Sequence, residues 1–116
     1  MGPDDVPTVL VEDLPADPAG DDTLFVLDVR EPDEWAAGHI DGAVHIPMGE
    51  LVARIEEIPR STRVIAVCRS GRRSAAVTAY LADGGWDAHN LDGGMITWAA
   101  LGRPMTADTP GAPFVL

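Results

Sequence analysis

The segment Val64-Ile65-Ala66-Val67-Cys68-Arg69-Ser70-Gly71-Arg72-Arg73-Ser74 passes from an unbroken apolar run into a cationic turn that contains a glycine. An apolar run without polar alternation is the pattern of a strand in a parallel sheet covered on both faces. Leu24-Phe25-Val26-Leu27 repeats the pattern. Ala43-Val44-His45-Ile46 and Ala88-His89-Asn90-Leu91 are weaker strand candidates, and Thr8-Val9-Leu10-Val11 is a fifth, placed near an edge. Helical signals fall between them. Pro32 suits a first helical position, Asp33 and Glu34 favour a first turn, and Gly38 closes the segment. Over Glu50 to Ile58 the residues Leu51, Val52, Ile55 and Ile58 form one apolar face and predict a helix. Ser74 to Ala82 is helical by propensity with Gly84 as its cap, and Ile96 to Leu101 completes the series.

Strands alternating with helices predict an α/β fold: a mainly parallel sheet of about five strands with helices on both faces. In such a sheet ligands bind outside the carboxyl ends of the strands. The segments expected there are Asp28-Val29-Arg30, Pro47-Met48-Gly49, Cys68 to Arg73 and Asp92-Gly93-Gly94.

With 116 residues, 46% of them hydrophobic and 23% charged, the chain has the size and composition of one globular domain spanning 1–116. Its core is expected over about 8–105, and 106–116 should be an extended tail, since Pro104, Pro110 and Pro113 oppose a helix. A single cysteine excludes an internal disulfide framework and a cysteine-rich zinc site. No apolar run approaches the roughly 18 residues of a membrane span. The start, Met1-Gly2-Pro3-Asp4-Asp5, is acidic where a secretory signal is basic, so a cytoplasmic location is expected. A net charge of −11 argues against nucleic acid or an anionic membrane as partner. Against that acidic background Arg69, Arg72 and Arg73 crowd the one cysteine and suggest a local anion site.

A thiol becomes a good nucleophile on ionisation. The loop after Val67 can aim backbone N–H groups at the Cys68 sulfur, and the helix expected from Ser74 adds the positive end of its dipole. Thiolates in such settings have pKa values of roughly 3.5–7.5. Gly71 supplies the left-handed backbone that such a cradle needs. These features favour a reactive cysteine over a small buried hydrophobe.

Cys68-Arg69-Ser70-Gly71-Arg72-Arg73-Ser74 resembles the active-site loop of the rhodanese (sulfurtransferase) family. Asp28-Val29-Arg30, Trp35, and Gly38-His39-Ile40-Asp41-Gly42-Ala43 through Pro47 resemble its N-terminal signature. Leu91-Asp92-Gly93-Gly94 with Trp98 resembles its C-terminal one. The three motifs occur in family order across about residues 8 to 105. The resemblance implies a single rhodanese-like domain in which Cys68 takes the outer sulfur of a small anionic donor such as thiosulfate. The resulting persulfide is discharged by cyanide, a thiol or a protein sulfur acceptor, and no cofactor or metal takes part. It implies that Arg69, Ser70, Gly71, Arg72, Arg73 and Ser74 bind the substrate, with Asp28, Arg30, Gly93 and Gly94 supporting the loop. Related phosphatases and arsenate reductases place their arginine one residue later, where this chain has Ser74, so the loop has the shorter, sulfurtransferase length. A sulfur carrier that loads without turning over is the alternative. No second cysteine is present to resolve Cys68 internally.

The remaining candidates read best as structural. Asp28 and Arg30 suit a salt bridge from strand to helix, with Glu34 a further partner for Arg30. His39 and His45 suit hydrogen-bonded structural positions, and Trp35 and Trp98 suit packing ahead of a place in the pocket wall.

Overall fold

A computed structural model describes residues 5–116. Strands β1 (Thr8–Val9), β2 (Leu24–Asp28), β3 (Val44–His45), β4 (Arg63–Val67) and β5 (Ala88–Leu91) form one sheet in the order β1-β5-β4-β2-β3. Every pairing between neighbours is parallel. The two long apolar runs lie side by side at the centre, with Phe25 opposite Val64 and Asp28 opposite Val67. Alternation along β4 divides the core. Val64, Ala66 and Cys68 face a cluster that includes Val77 and Leu81. Ile65 and Val67 face another, with Leu91, Met95 and Trp98. Both faces are therefore covered, which explains why β4 carries no polar alternation.

The helices are α1 (Pro32–Ala37), α2 (Arg72–Asp83) and α3 (Gly94–Ala100). Three differences from the sequence expectations have physical causes. Over 48–58 the chain forms two short 3₁₀ turns, Met48–Glu50 and Ile55–Glu57, rather than one α-helix. Leu51 and Ile58 are buried as expected, but Val52 is 67% exposed and belongs to no apolar face. An i, i+3 spacing of apolar residues serves a 3₁₀ turn as well as an α-helix, so the pattern identified the buried side chains and not the helix type. Helix α2 begins at Arg72, ahead of the expected Ser74, because Gly71 takes a left-handed conformation (φ +97°) and caps it directly. Helix α3 likewise starts at Gly94, ahead of Ile96.

The tail beyond α3 is non-helical, as its prolines require, and it lies along the domain. Thr106 pairs antiparallel with His39, the Phe114 N–H donates to the Ala37 carbonyl at 3.0 Å, and Val115 packs against the second core cluster. Among the described residues no helix is long and apolar enough to cross a membrane.

Candidate active site at the cysteine loop

Cys68 leaves the carboxyl end of β4 with its sulfur turned toward α2, and only 1% of the residue is exposed. Two donors converge on the sulfur. The Gly71 N–H lies 3.1 Å from Sγ and the Ser74 hydroxyl 3.2 Å. Burial pushes the thiol pKa up. The hydrogen bonds from the Ser74 side chain and from the backbone N–H groups of Ser74, Gly71 and Ser70 outweigh it and hold the thiol below its ordinary value. The cradle expected from the loop is present, and it is built from backbone and one hydroxyl.

Glycines let a second element brace it. Gly93 and Gly94 both have positive φ, and a side chain at Gly94 would collide with the Cys68 and Arg69 carbonyls. With none there, the first turn of α3 reaches the loop. Met95 N–H donates to the Cys68 carbonyl at 2.9 Å and Ile96 N–H to the Arg69 carbonyl at 3.0 Å.

The three loop arginines have separate fates. Arg69 donates through Nε to the Leu116 carbonyl at 3.0 Å. Arg73 forms a two-pronged pair with Glu34 at 2.7 and 2.9 Å. Arg72 lines a cavity of about 420 Å³ beside the loop, together with Thr8, Ser70, Asn90 and Asp92. The expected cluster of three free cations is thus reduced, since Glu34 neutralises Arg73. Glu34 was expected beside Arg30. It serves Arg30 only through its backbone carbonyl, at 3.3 Å.

Arg30 is fully buried and grips Asp28 through Nε (2.9 and 3.1 Å) and Nη2 (2.7 Å), while Nη2 also donates to the Gly38 carbonyl at 2.8 Å. The pair ties the end of β2 to the end of α1, as a strand-to-helix bridge should. His39 Nδ1 lies 2.7 Å from the Trp35 carbonyl, and His45 Nε2 lies 2.7 Å from the Arg30 carbonyl, so both nitrogens must carry hydrogen. The Trp35 indole stacks on both imidazoles, with ring centroids 3.5 and 4.8 Å apart. Trp98 is fully buried, and its Nε1–H donates to the Pro104 carbonyl. Among the described residues no group of three or more His, Cys, Asp or Glu side chains could hold a metal ion.

Two contributors were not expected from sequence. Asn90 on β5 donates from Nδ2 to the Gly71 carbonyl at 3.0 Å, and its Oδ1 lies 2.6 Å from the Ser74 hydroxyl oxygen. The one signal for it was a polar residue inside a strand otherwise read as buried, which must find partners. The pairing of Glu34 with Arg73, 39 residues apart in sequence, is the second, since Glu34 was expected to serve Arg30.

Arg73 holds the Glu34 carboxyl down to about 2 against the opposing effect of burial. The folded pKa is below the unfolded value of roughly 4.3, so the pair's contribution is complete above that value and is lost as pH falls toward about 2. Arg73 is 36% exposed, and solvent screening limits the contribution to about 1 kcal/mol. Urea midpoints measured from about pH 5 downward should fall less steeply for Glu34→Gln than for the unaltered protein. Parallel slopes would show that the pair contributes nothing.

The rhodanese-like domain family model matches residues 10–101. A protein named sulfurtransferase from Allochromatium vinosum is 40% identical over 90 residues, covering 77% of this chain and 84% of its own. YtwF of Bacillus subtilis, which carries a provisional sulfurtransferase name, is 39% identical over 84 residues, covering 72% and 82%. The crystal structure of a rhodanese-related protein from Thermoplasma volcanium superposes with a TM-score of 0.74 at 28% identity, covering 86% of this chain and 97% of that one.

Proposed function

Since the chain belongs to the rhodanese-like domain family, we propose that its role in sulfur transfer or carriage is that of an enzyme, moving sulfane sulfur from thiosulfate through a Cys68 persulfide to cyanide or a thiol. The convergence of the Gly71 N–H and the Ser74 hydroxyl on the Cys68 sulfur carries this reading. The thiolate attacks the outer sulfur of the donor, a new S–S bond forms, and sulfite leaves with the electron pair of the bond that breaks. The acceptor then attacks the outer sulfur of the persulfide, and Cys68 leaves as the thiolate it began as. No general base is needed when the sulfur is already ionised.

Arg72 is the cation best situated to meet an anionic donor, because Glu34 already occupies Arg73. Ser70 and Gly71 bound the same cavity and Ser74 serves the sulfur, while Asp28, Arg30, Gly93 and Gly94 hold the loop's surroundings in place. We take the whole chain, tail included, as one functional domain.

Loop size sets this activity apart from phosphoryl transfer. A phosphatase must distribute donors around several oxygens of a phosphoryl group. Here the donors converge on one sulfur within a loop that is one residue shorter. Incubation with thiosulfate followed by intact-mass measurement is expected to show one added sulfur atom, removed by cyanide with repeated turnover. A phosphate monoester should be left intact. Loading without repeated turnover would make the protein a carrier. Phosphate release dependent on Cys68, with no sulfur on the protein, would reverse the assignment.

A further inference from the structure

Asn90 is 7% exposed on β5, and its side chain bridges two parts of the cysteine loop. Its Nδ2 donates to the Gly71 carbonyl at 3.0 Å. That contact fixes the orientation of the amide, because a carbonyl can accept only from the NH₂ end. The oxygen end is therefore turned to the Ser74 hydroxyl, 2.6 Å away. Ser74 Oγ is also 3.2 Å from the Cys68 sulfur. One hydroxyl carries one hydrogen, and it cannot be given to both neighbours at once.

We propose that Asn90 is a positioning residue that competes with Cys68 for the Ser74 hydroxyl hydrogen, and so controls the hydrogen bond delivered to the sulfur at each stage of the transfer. The inference rests on the sulfur-transfer reading. With a neutral thiol the donors run one way: Cys68 S–H to Ser74 Oγ, Ser74 O–H to Asn90 Oδ1, and Asn90 N–H to the Gly71 carbonyl. With a thiolate the anion is the stronger acceptor, and the Ser74 hydrogen swings to the sulfur. Asn90 Oδ1 then loses its donor and faces oxygen lone pairs.

In the persulfide the inner sulfur bears no charge, and the hydrogen returns to Asn90. When the acceptor takes the outer sulfur, the S–S bond breaks and its electron pair stays on Cys68 Sγ. The Ser74 hydrogen turns back to meet that charge. No proton changes owner; one O–H bond rotates. Asn90 thus sets how strongly the charged sulfur is favoured over the sulfur that carries cargo.

Iodoacetamide alkylation followed against pH tests this, because the signal has a single source in a chain with one cysteine. Asn90→Leu frees the Ser74 hydroxyl for the sulfur but also removes the anchor on Gly71. The effect through Ser74 is therefore read as a double-mutant cycle with Ser74→Ala. Asn90→Leu is expected to lower the apparent thiol pKa by about half a unit more when Ser74 is present than in the Ser74→Ala background. Asn90→Asp, closer in shape and a stronger acceptor, should raise it more with Ser74 present than without.

Equal shifts in the two backgrounds, for whichever variant folds, would mean that Asn90 acts on the loop without Ser74, and would overturn the proposal. Thiosulfate loading of the unaltered protein is measured separately. A protein that takes no sulfur defeats the functional reading, whereas one that loads sulfur but shows no coupling defeats the role of Asn90 alone.

Discussion

Cys68→Ser is expected to fold and yet take no sulfur from thiosulfate, with turnover falling by about a thousandfold or more. The hydroxyl that replaces the thiol would meet the same Gly71 N–H and Ser74 hydroxyl, so it is buried with partners and the fold is little affected. It would remain protonated at neutral pH, where the thiol it replaces is held below its ordinary pKa. Circular dichroism and a urea midpoint establish folding, and intact mass after thiosulfate reads the chemistry. Sulfur found on the folded serine variant would remove Cys68 from the mechanism.

The second large effect concerns stability. Arg30→Met is expected to cost about 3–5 kcal/mol, because it strands the Asp28 carboxylate, 1% exposed, without its counterion. It also takes a donor from the Gly38 carbonyl at the end of α1. Since a domain of this kind has roughly 5–15 kcal/mol in all, the variant should lose much of its urea midpoint. Asp28→Asn combined with Arg30→Met should recover part of the loss, because the orphaned charge is then gone. A single variant as stable as the original would mean that water reaches Asp28 and that the bridge does not organise this end of the sheet.

The central strands and the position of the cysteine were legible in the sequence because burial on both faces writes itself as an unbroken apolar run. Loop chemistry was legible because glycine, a thiol and a helix start must be adjacent to form a cradle. What could not be read were pairings made by folding. Nothing local distinguishes Arg73, held by Glu34, from Arg72, which lines the cavity, although the two are neighbours in sequence. Asn90 stood in a strand candidate, and its work for the loop comes from the parallel register that sets it opposite Ala66 in β4, two residues before Cys68. The segment 48–58 shows the converse: its apolar spacing was right for Leu51 and Ile58 while its backbone took a tighter turn.

The strand order has a consequence for the chain during its synthesis. Thr8 pairs with Asn90, so the first strand made waits for the last before it has a neighbour. Strands β2 and β4 can pair earlier, and Cys68 leaves the ribosome with them. Its loop still lacks Asn90 from β5 and the α3 amides of Met95 and Ile96 that fix the Cys68 and Arg69 carbonyls. Parallel pairings of high sequence separation form slowly and late. A nascent chain therefore has the loop's own donors, the Gly71 N–H and the Ser74 hydroxyl, before it has the elements that brace them, and the fixed geometry about the sulfur arrives only with the completed fold.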